Sequence, residues 1–188
     1  MQINTLIIGG ARSGKSNFAQ KLALESGKKV LFVATAEAGD EEMRRRIEKH
    51  KESRPPSWNI LETATDTGRE ILDKAGDEGV IIVDCVTLLV NNIFGRFNYQ
   101  AGGQTGESPV EKEITREIEE LIECMNRLKA DFIIVTNEVG MDLVPANETG
   151  RLYRDWLGRA NQQLAENADR VYLMVAGIPL LIKPDRNP

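Results

Sequence analysis

With 188 residues, 41% hydrophobic and 28% charged, the chain has the composition of one well-packed globular domain and is too short for two. Its 24 basic and 29 acidic residues give a net charge of −5, which argues against broad binding to nucleic acid or to an anionic membrane surface. No segment reaches the roughly 20 apolar residues that span a bilayer, no targeting segment is visible, and Cys85 and Cys124 fit no zinc or redox spacing, so a cytoplasmic protein with reduced, buried thiols is expected.

In chain order, the run Ile3–Ile8 predicts a buried strand and leads into Gly9-Gly10-Ala11-Arg12-Ser13-Gly14-Lys15-Ser16. That segment satisfies G-x-x-x-x-G-K-[ST] in the required place, after a strand and at the start of a helix, here Lys15–Glu25. The glycines let backbone N–H groups curl around a phosphate, and the helix N-terminus adds partial positive charge there. Lys15 would reach the β- and γ-phosphates of ATP or GTP, and the Ser16 hydroxyl would ligate Mg²⁺.

Val30–Thr35 predicts a second strand and Glu41–Ser53 a helix, with Asp40 as its N-cap and Pro55 and Pro56 ending it. This helix carries His50, the sole histidine, flanked at four residues by Arg46 and Arg54. At helical spacing Met43, Ile47, His50 and Arg54 share one face. Neighbouring cations favour a neutral, nucleophilic imidazole and can also bind phosphates. Such a group can attack an α-phosphate, although a lone histidine on a basic helix also fits a purely structural role.

Further along, Ile60–Leu61 is a short apolar piece ending at Glu62, and Thr67–Lys74 reads as a helix. Val80–Asp84 is a strand whose terminal Asp84 is the acidic partner a phosphate loop usually needs for Mg²⁺. The polar, glycine-rich stretch Gly95–Pro109 reads as a surface loop. Val110–Lys129 and Arg151–Asn167 read as helices, Phe132–Thr136 and Val171–Val175 as strands, and Pro179–Ile182 as an antiparallel edge strand. Strands alternating with helices predict a single α/β domain over 1–188, with a mostly parallel, RecA-like sheet covered by helices.

These segments together resemble one family. The carriers are GGARSGKS at Gly9–Ser16, Ala34-Thr35-Ala36, and E-M-x-x-R-I-x-x-H-x-x-x-R-P from Glu42 through Met43, Arg46, Ile47, His50 and Arg54 to Pro55. They continue with Asp84-Cys85-Val86-Thr87, Thr136-Asn137-Glu138-Val139-Gly140, and Gly158-Arg159-x-Asn161-Gln162 leading to Ala168-Asp169. The chain is thereby similar to the bifunctional adenosylcobinamide kinases / adenosylcobinamide-phosphate guanylyltransferases of cobalamin biosynthesis. The resemblance implies phosphorylation of adenosylcobinamide by ATP or GTP, then GMP transfer from GTP through a covalent histidine–GMP, here on His50, to give adenosylcobinamide-GDP. It also implies nucleotide contacts at Gly9–Ser16, Ala34, Thr35, Ala36, Lys51, Glu52, Ser53, Arg54, Glu62 and Asp84, and a homotrimer.

Two other readings stay open on the residues alone. One is a P-loop small-molecule kinase with no covalent step. The other is a GTPase-type switch or ATPase motor, against which Thr136-Asn137-Glu138-Val139 stands where N-K-x-D would confer guanine selectivity. Arg151, Arg154 and Arg159 read as a solvated helix face rather than a phosphate clamp.

Overall fold

The computed structural model describes residues 2–37, 39, 41–52, 54–97 and 108–184, and the backbone alone at Glu42, Met43, Arg46, Lys49 and His50. Asp40, Ser53 and positions 98–107 of the predicted surface loop therefore lie outside the described residues.

The elements run β1 (Asn4–Gly9), α1 (Lys15–Glu25), β2 (Val30–Ala34), α2 (Glu41–Glu52), β3 (Asn59–Glu62), α3 (Thr67–Lys74) and β4 (Val80–Asp84). They continue α4 (Val86–Arg96), α5 (Pro109–Arg127), β5 (Asp131–Asn137), α6 (Glu148–Asn167), β6 (Arg170–Val175) and β7 (Ile178–Lys183). The strands form one sheet in the order β3-β2-β4-β5-β1-β6-β7, parallel throughout except for β7, which pairs antiparallel to β6 at the edge. The predicted parallel sheet and its antiparallel edge strand are both present.

Side chains alternate across the sheet with the period of two that a strand imposes. Ile7, Phe32, Val80, Ile82, Ile133 and Val135 face α1, whose Ala19 and Ala23 let the helix approach closely. Leu6, Leu31, Val33, Ile81, Val83, Phe132 and Ile134 face the other way, into the core built with α3, α4, α5 and α6. Both faces are covered, which is why the central strands read as continuous apolar runs rather than alternating ones. No helix among the described residues is long and apolar enough to cross a membrane.

The structure changes several expected boundaries. Gly95 and Arg96 belong to α4 and Pro109 begins α5, so both flanks of the predicted loop are helical. Pro109 occupies the first turn of α5, where its missing N–H costs nothing, and Ser108 caps the helix by accepting from the Val110 N–H. Asn147 caps α6 in the same way through the Gly150 N–H, so that helix begins before Arg151. Arg54 lies beyond the end of α2 and does not share a helical face with Ile47.

A buried acid joins two helices. Glu117 of α5 is fully buried, and its carboxylate accepts the N–H groups of Asp66 (2.8 Å) and Thr67 (2.6 Å), the first turn of α3. Gly68 permits this contact, because a Cβ there would stand 2.4 Å from the Glu120 carbonyl oxygen.

Candidate active site

In parallel α/β sheets, loops at the carboxyl ends of the strands collect the groups that touch ligands. Here Gly9 lies in register with Asn137 across β1 and β5, while Glu62, Ala34 and Asp84 are in register across β3, β2 and β4. Above this row opens a cavity of about 530 Å³. Its wall on one side is the loop Ala11–Ser16, and on the other Ala34, Ala36, Arg54, Glu62 and Asp84. Sequence-predicted residues spread from Ala11 to Asp84 thus meet at one place. Ile47 of α2, Asn17, Cys85, Leu88, Val135 and Asn137 also line the cavity.

The glycine loop is shaped by close approach. A Cβ on Gly9 would lie 2.5 Å from the Met174 carbonyl oxygen, and Gly14 takes the left-handed backbone (φ +96°) that hands the chain to α1. The β6–β7 turn supports the loop from behind, where the Gly177 N–H donates to the Ser13 carbonyl at 2.9 Å. Lys15 is buried, and its Nζ donates to the carbonyls of Gly9 (3.0 Å) and Gly10 (2.6 Å). Burial pushes its ammonium below the ordinary lysine value, and the negative charge of Asp84 opposes that shift. Cys85 itself is no nucleophile near neutral pH, since burial and the neighbouring Asp84 push its thiol up to about 12.

Arg54 sits half-buried with its guanidinium carbon 4.1 Å from the centre of the Phe32 ring. Its Nε and Nη1 are buried with no hydrogen-bond partner among the described residues. Burial lowers its pKa, and the carboxylates of Asp84 and Glu62 counter that. A cation with two idle donors in a polar cavity is a seat for an anion. Lys51 is exposed and pairs with Glu62 at 2.5 Å, tying the end of α2 to β3.

Thr35, expected among the nucleotide contacts, is not among the residues lining the cavity, unlike its neighbours Ala34 and Ala36. Its Oγ1 donates to the Cys85 carbonyl (2.7 Å) and accepts from the Cys85 N–H (2.8 Å), so it fastens β2 to β4. Glu52 is exposed, and Ser53 and the His50 side chain lie outside the described residues. The backbone of position 50 is within α2, one turn beyond Ile47. Arg159 pairs with Glu111, Arg151 donates to the carbonyls of Pro145 and Ala146, and neither lines this cavity. Sequence reasoning missed Asn137 as a lining residue, although its motif was in view.

Ser16 and Asp84 line the same cavity, and among the described residues no cluster of three His, Cys, Asp or Glu side chains forms a closed metal cage. That sparse oxygen set suits Mg²⁺, which keeps several waters and takes phosphate oxygens as ligands.

Residues 5–182 match the family model described as cobinamide kinase / cobinamide phosphate guanyltransferase. The chain is 39% identical over 178 residues to the bifunctional adenosylcobalamin biosynthesis protein CobP of Pseudomonas aeruginosa, covering 95% of this chain and 96% of that protein. It is 40% identical over 181 residues to the bifunctional adenosylcobalamin biosynthesis protein CobU of Escherichia coli, covering 95% and 98%. Among solved structures it is similar to the RadB recombinase (TM-score 0.52, 17% identity, 99% of this chain and 83% of that one). A protein from Pyrococcus horikoshii OT3 is similar at TM-score 0.56 and 9% identity, over 100% and 90% of the two chains. At those identities the two structures share the fold alone.

Proposed function

The chain belongs to the cobinamide kinase / cobinamide phosphate guanyltransferase family and is a kinase and guanylyltransferase, and from that premise we propose that both reactions run at the cavity above β1 and β4, the second through a covalent bond to His50. In the first, the hydroxyl oxygen of the aminopropanol arm of adenosylcobinamide attacks the γ-phosphorus of ATP or GTP, the P–O bond to the β-phosphate breaks, ADP or GDP leaves, and the hydroxyl proton goes to solvent. In the second, a ring nitrogen of His50 attacks the α-phosphorus of GTP, the P–O bond to pyrophosphate breaks, and the imidazole proton goes to solvent. The phosphate of phosphorylated adenosylcobinamide then attacks the same phosphorus, the P–N bond breaks, and adenosylcobinamide-GDP leaves.

Within this scheme the loop Gly9–Ser16 cradles the phosphates with backbone N–H groups, and Lys15 exchanges its two carbonyl partners for phosphate oxygens. Arg54 supplies its idle donors to the triphosphate. Ala34, Ala36 and Glu62 border the nucleotide, with Thr35 holding their strands in place. Lys51, Glu52 and Ser53 complete the contacts on the α2 side. Ser16 and Asp84 would hold Mg²⁺, which neutralises phosphate charge when bound. The observation that carries this reading is the meeting of Lys15, Ser16, Asp84 and Arg54 around one cavity, which Ile47 of α2 also lines. A homotrimer working in the cytoplasm belongs to the same proposal.

The test is incubation with α-labelled GTP and Mg²⁺, comparing the unaltered protein with His50→Ala. Acid-labile, alkali-stable label is expected on the unaltered protein only, with kinase activity kept in His50→Ala. Equal label on both proteins would take the covalent step away from His50, and no label on either would leave a transfer directly between bound substrates.

A further inference from the structure

Asn137 ends β5, the strand hydrogen-bonded between β1, which carries the phosphate loop, and β4, which carries Asp84. Alternation along β5 puts Ile133, Val135 and Asn137 on the α1 face, where the cavity lies, and Val135 and Asn137 both line it.

The backbone of Asn137 is gripped from the opposite face. Its N–H donates to Thr87 Oγ1 at 2.7 Å, and its carbonyl accepts from Asn161 Nδ2 at 3.0 Å. Asn161 is itself held by Thr136 Oγ1, which donates to its Oδ1 at 2.8 Å. Buried threonine and asparagine groups are thus spent on fixing one main-chain position. The side-chain amide that this clamp presents to the cavity has no hydrogen-bond partner among the described residues.

We infer that the Asn137 side chain is a γ-phosphate contact, its amide N–H donating to a terminal phosphate oxygen from the side of the cavity between Lys15 and Asp84. This rests on the reading of the cavity as the triphosphate site. A clamped amide there distinguishes a triphosphate from a diphosphate, because only the former brings an oxygen to the strand end. An amide suits the place better than a cation, since it adds a directed donor without raising the charge already supplied by Lys15 and Arg54.

The experiment measures the affinity of the full-length protein for GDP and for a non-hydrolysable GTP analogue, each with Mg²⁺, by calorimetry. Variants are Asn137→Ala and the near-isosteric Asn137→Asp, with Lys15→Met as control. Unaltered protein should prefer the triphosphate analogue. Asn137→Ala should lose about tenfold of that preference, the size of one neutral hydrogen bond to a charged acceptor, with GDP affinity unchanged. Asn137→Asp should lose more, because a carboxylate there repels the phosphate. Unchanged GDP binding certifies that the variants are folded. A triphosphate preference unaltered in both Asn137 variants, or an equal loss for GDP, overturns the inference while Lys15→Met still weakens both ligands. Should Lys15→Met weaken neither, the phosphate reading of the cavity falls with it.

Discussion

Replacing Arg54 by methionine separates what the guanidinium does for the fold from what it does for a ligand. Among the described residues Nε and Nη1 are buried without partners, and a buried donor left unsatisfied costs about 1–3 kcal/mol. Against that stands the stacking of the guanidinium on Phe32, at 4.1 Å, worth about 0.5–2 kcal/mol. Methionine keeps a flexible stem over the ring and a sulfur suited to it, so most of the packing survives. The two terms cancel or favour the variant, and a melting temperature unchanged or raised by a few degrees is expected for a chain of this size. Binding should move the other way. Two charge-assisted hydrogen bonds to phosphate at roughly 1.5 kcal/mol each amount to about 3 kcal/mol, a loss of roughly 100-fold in triphosphate affinity. The assay pairs thermal unfolding without nucleotide with calorimetric titration of a non-hydrolysable triphosphate. If Arg54→Met melts well below the unaltered protein and binds nucleotide as tightly, Arg54 is a structural cation and the reasoning is wrong.

Other expectations follow from the same structure. Glu117→Gln leaves one acceptor for two N–H groups and turns an amide NH₂ toward them, so it should cost about 1–3 kcal/mol, read as a lower denaturant midpoint. Burial raises the Glu117 pKa, so the folded chain binds the extra proton above the ordinary value of 4.5; its contribution to stability should fall as pH rises from there, and Glu117→Gln should remove that slope. Gly68→Ala should destabilise by about 1–3 kcal/mol, because its Cβ meets the Glu120 main chain at 2.4 Å, even though alanine is the better helix former. For Lys15 the folded pKa lies below 10.5, so nucleotide affinity should drop before a free lysine would titrate as pH rises. In that same window the unfolded chain binds more protons, so stability should rise with pH, and Lys15→Arg should flatten the binding profile.

Much of this was legible in the residues, and the exceptions have physical causes. The glycine loop announced itself because its chemistry demands glycine, lysine and a hydroxyl at fixed spacing. The central strands were visible because burial on both faces makes them continuously apolar. β3 is four residues long with only Leu61 buried, too short and exposed to show a period, and only Ile60–Leu61 could be read. α4 did not stand out because only Cys85 separates it from β4, and its mostly apolar start Val86–Val90 continues the character of the strand. Glu117 was hidden within an amphipathic helix, where a glutamate normally marks the solvent side. The engagement of Thr35 and the idle donors of Arg54 depend on contacts between distant segments, which spacing along one strand or helix does not encode.

The hydrogen bond from Gly177 to Ser13 makes the edge hairpin and the glycine loop one mechanical unit, although they come from opposite ends of the chain. Fraying of an exposed edge strand is usually a local event with no functional echo. Here, opening β7 would withdraw the backing from the segment that must hold its N–H groups still, so a loosened carboxyl-terminal edge should register as weaker grip on phosphate before any loss of global stability.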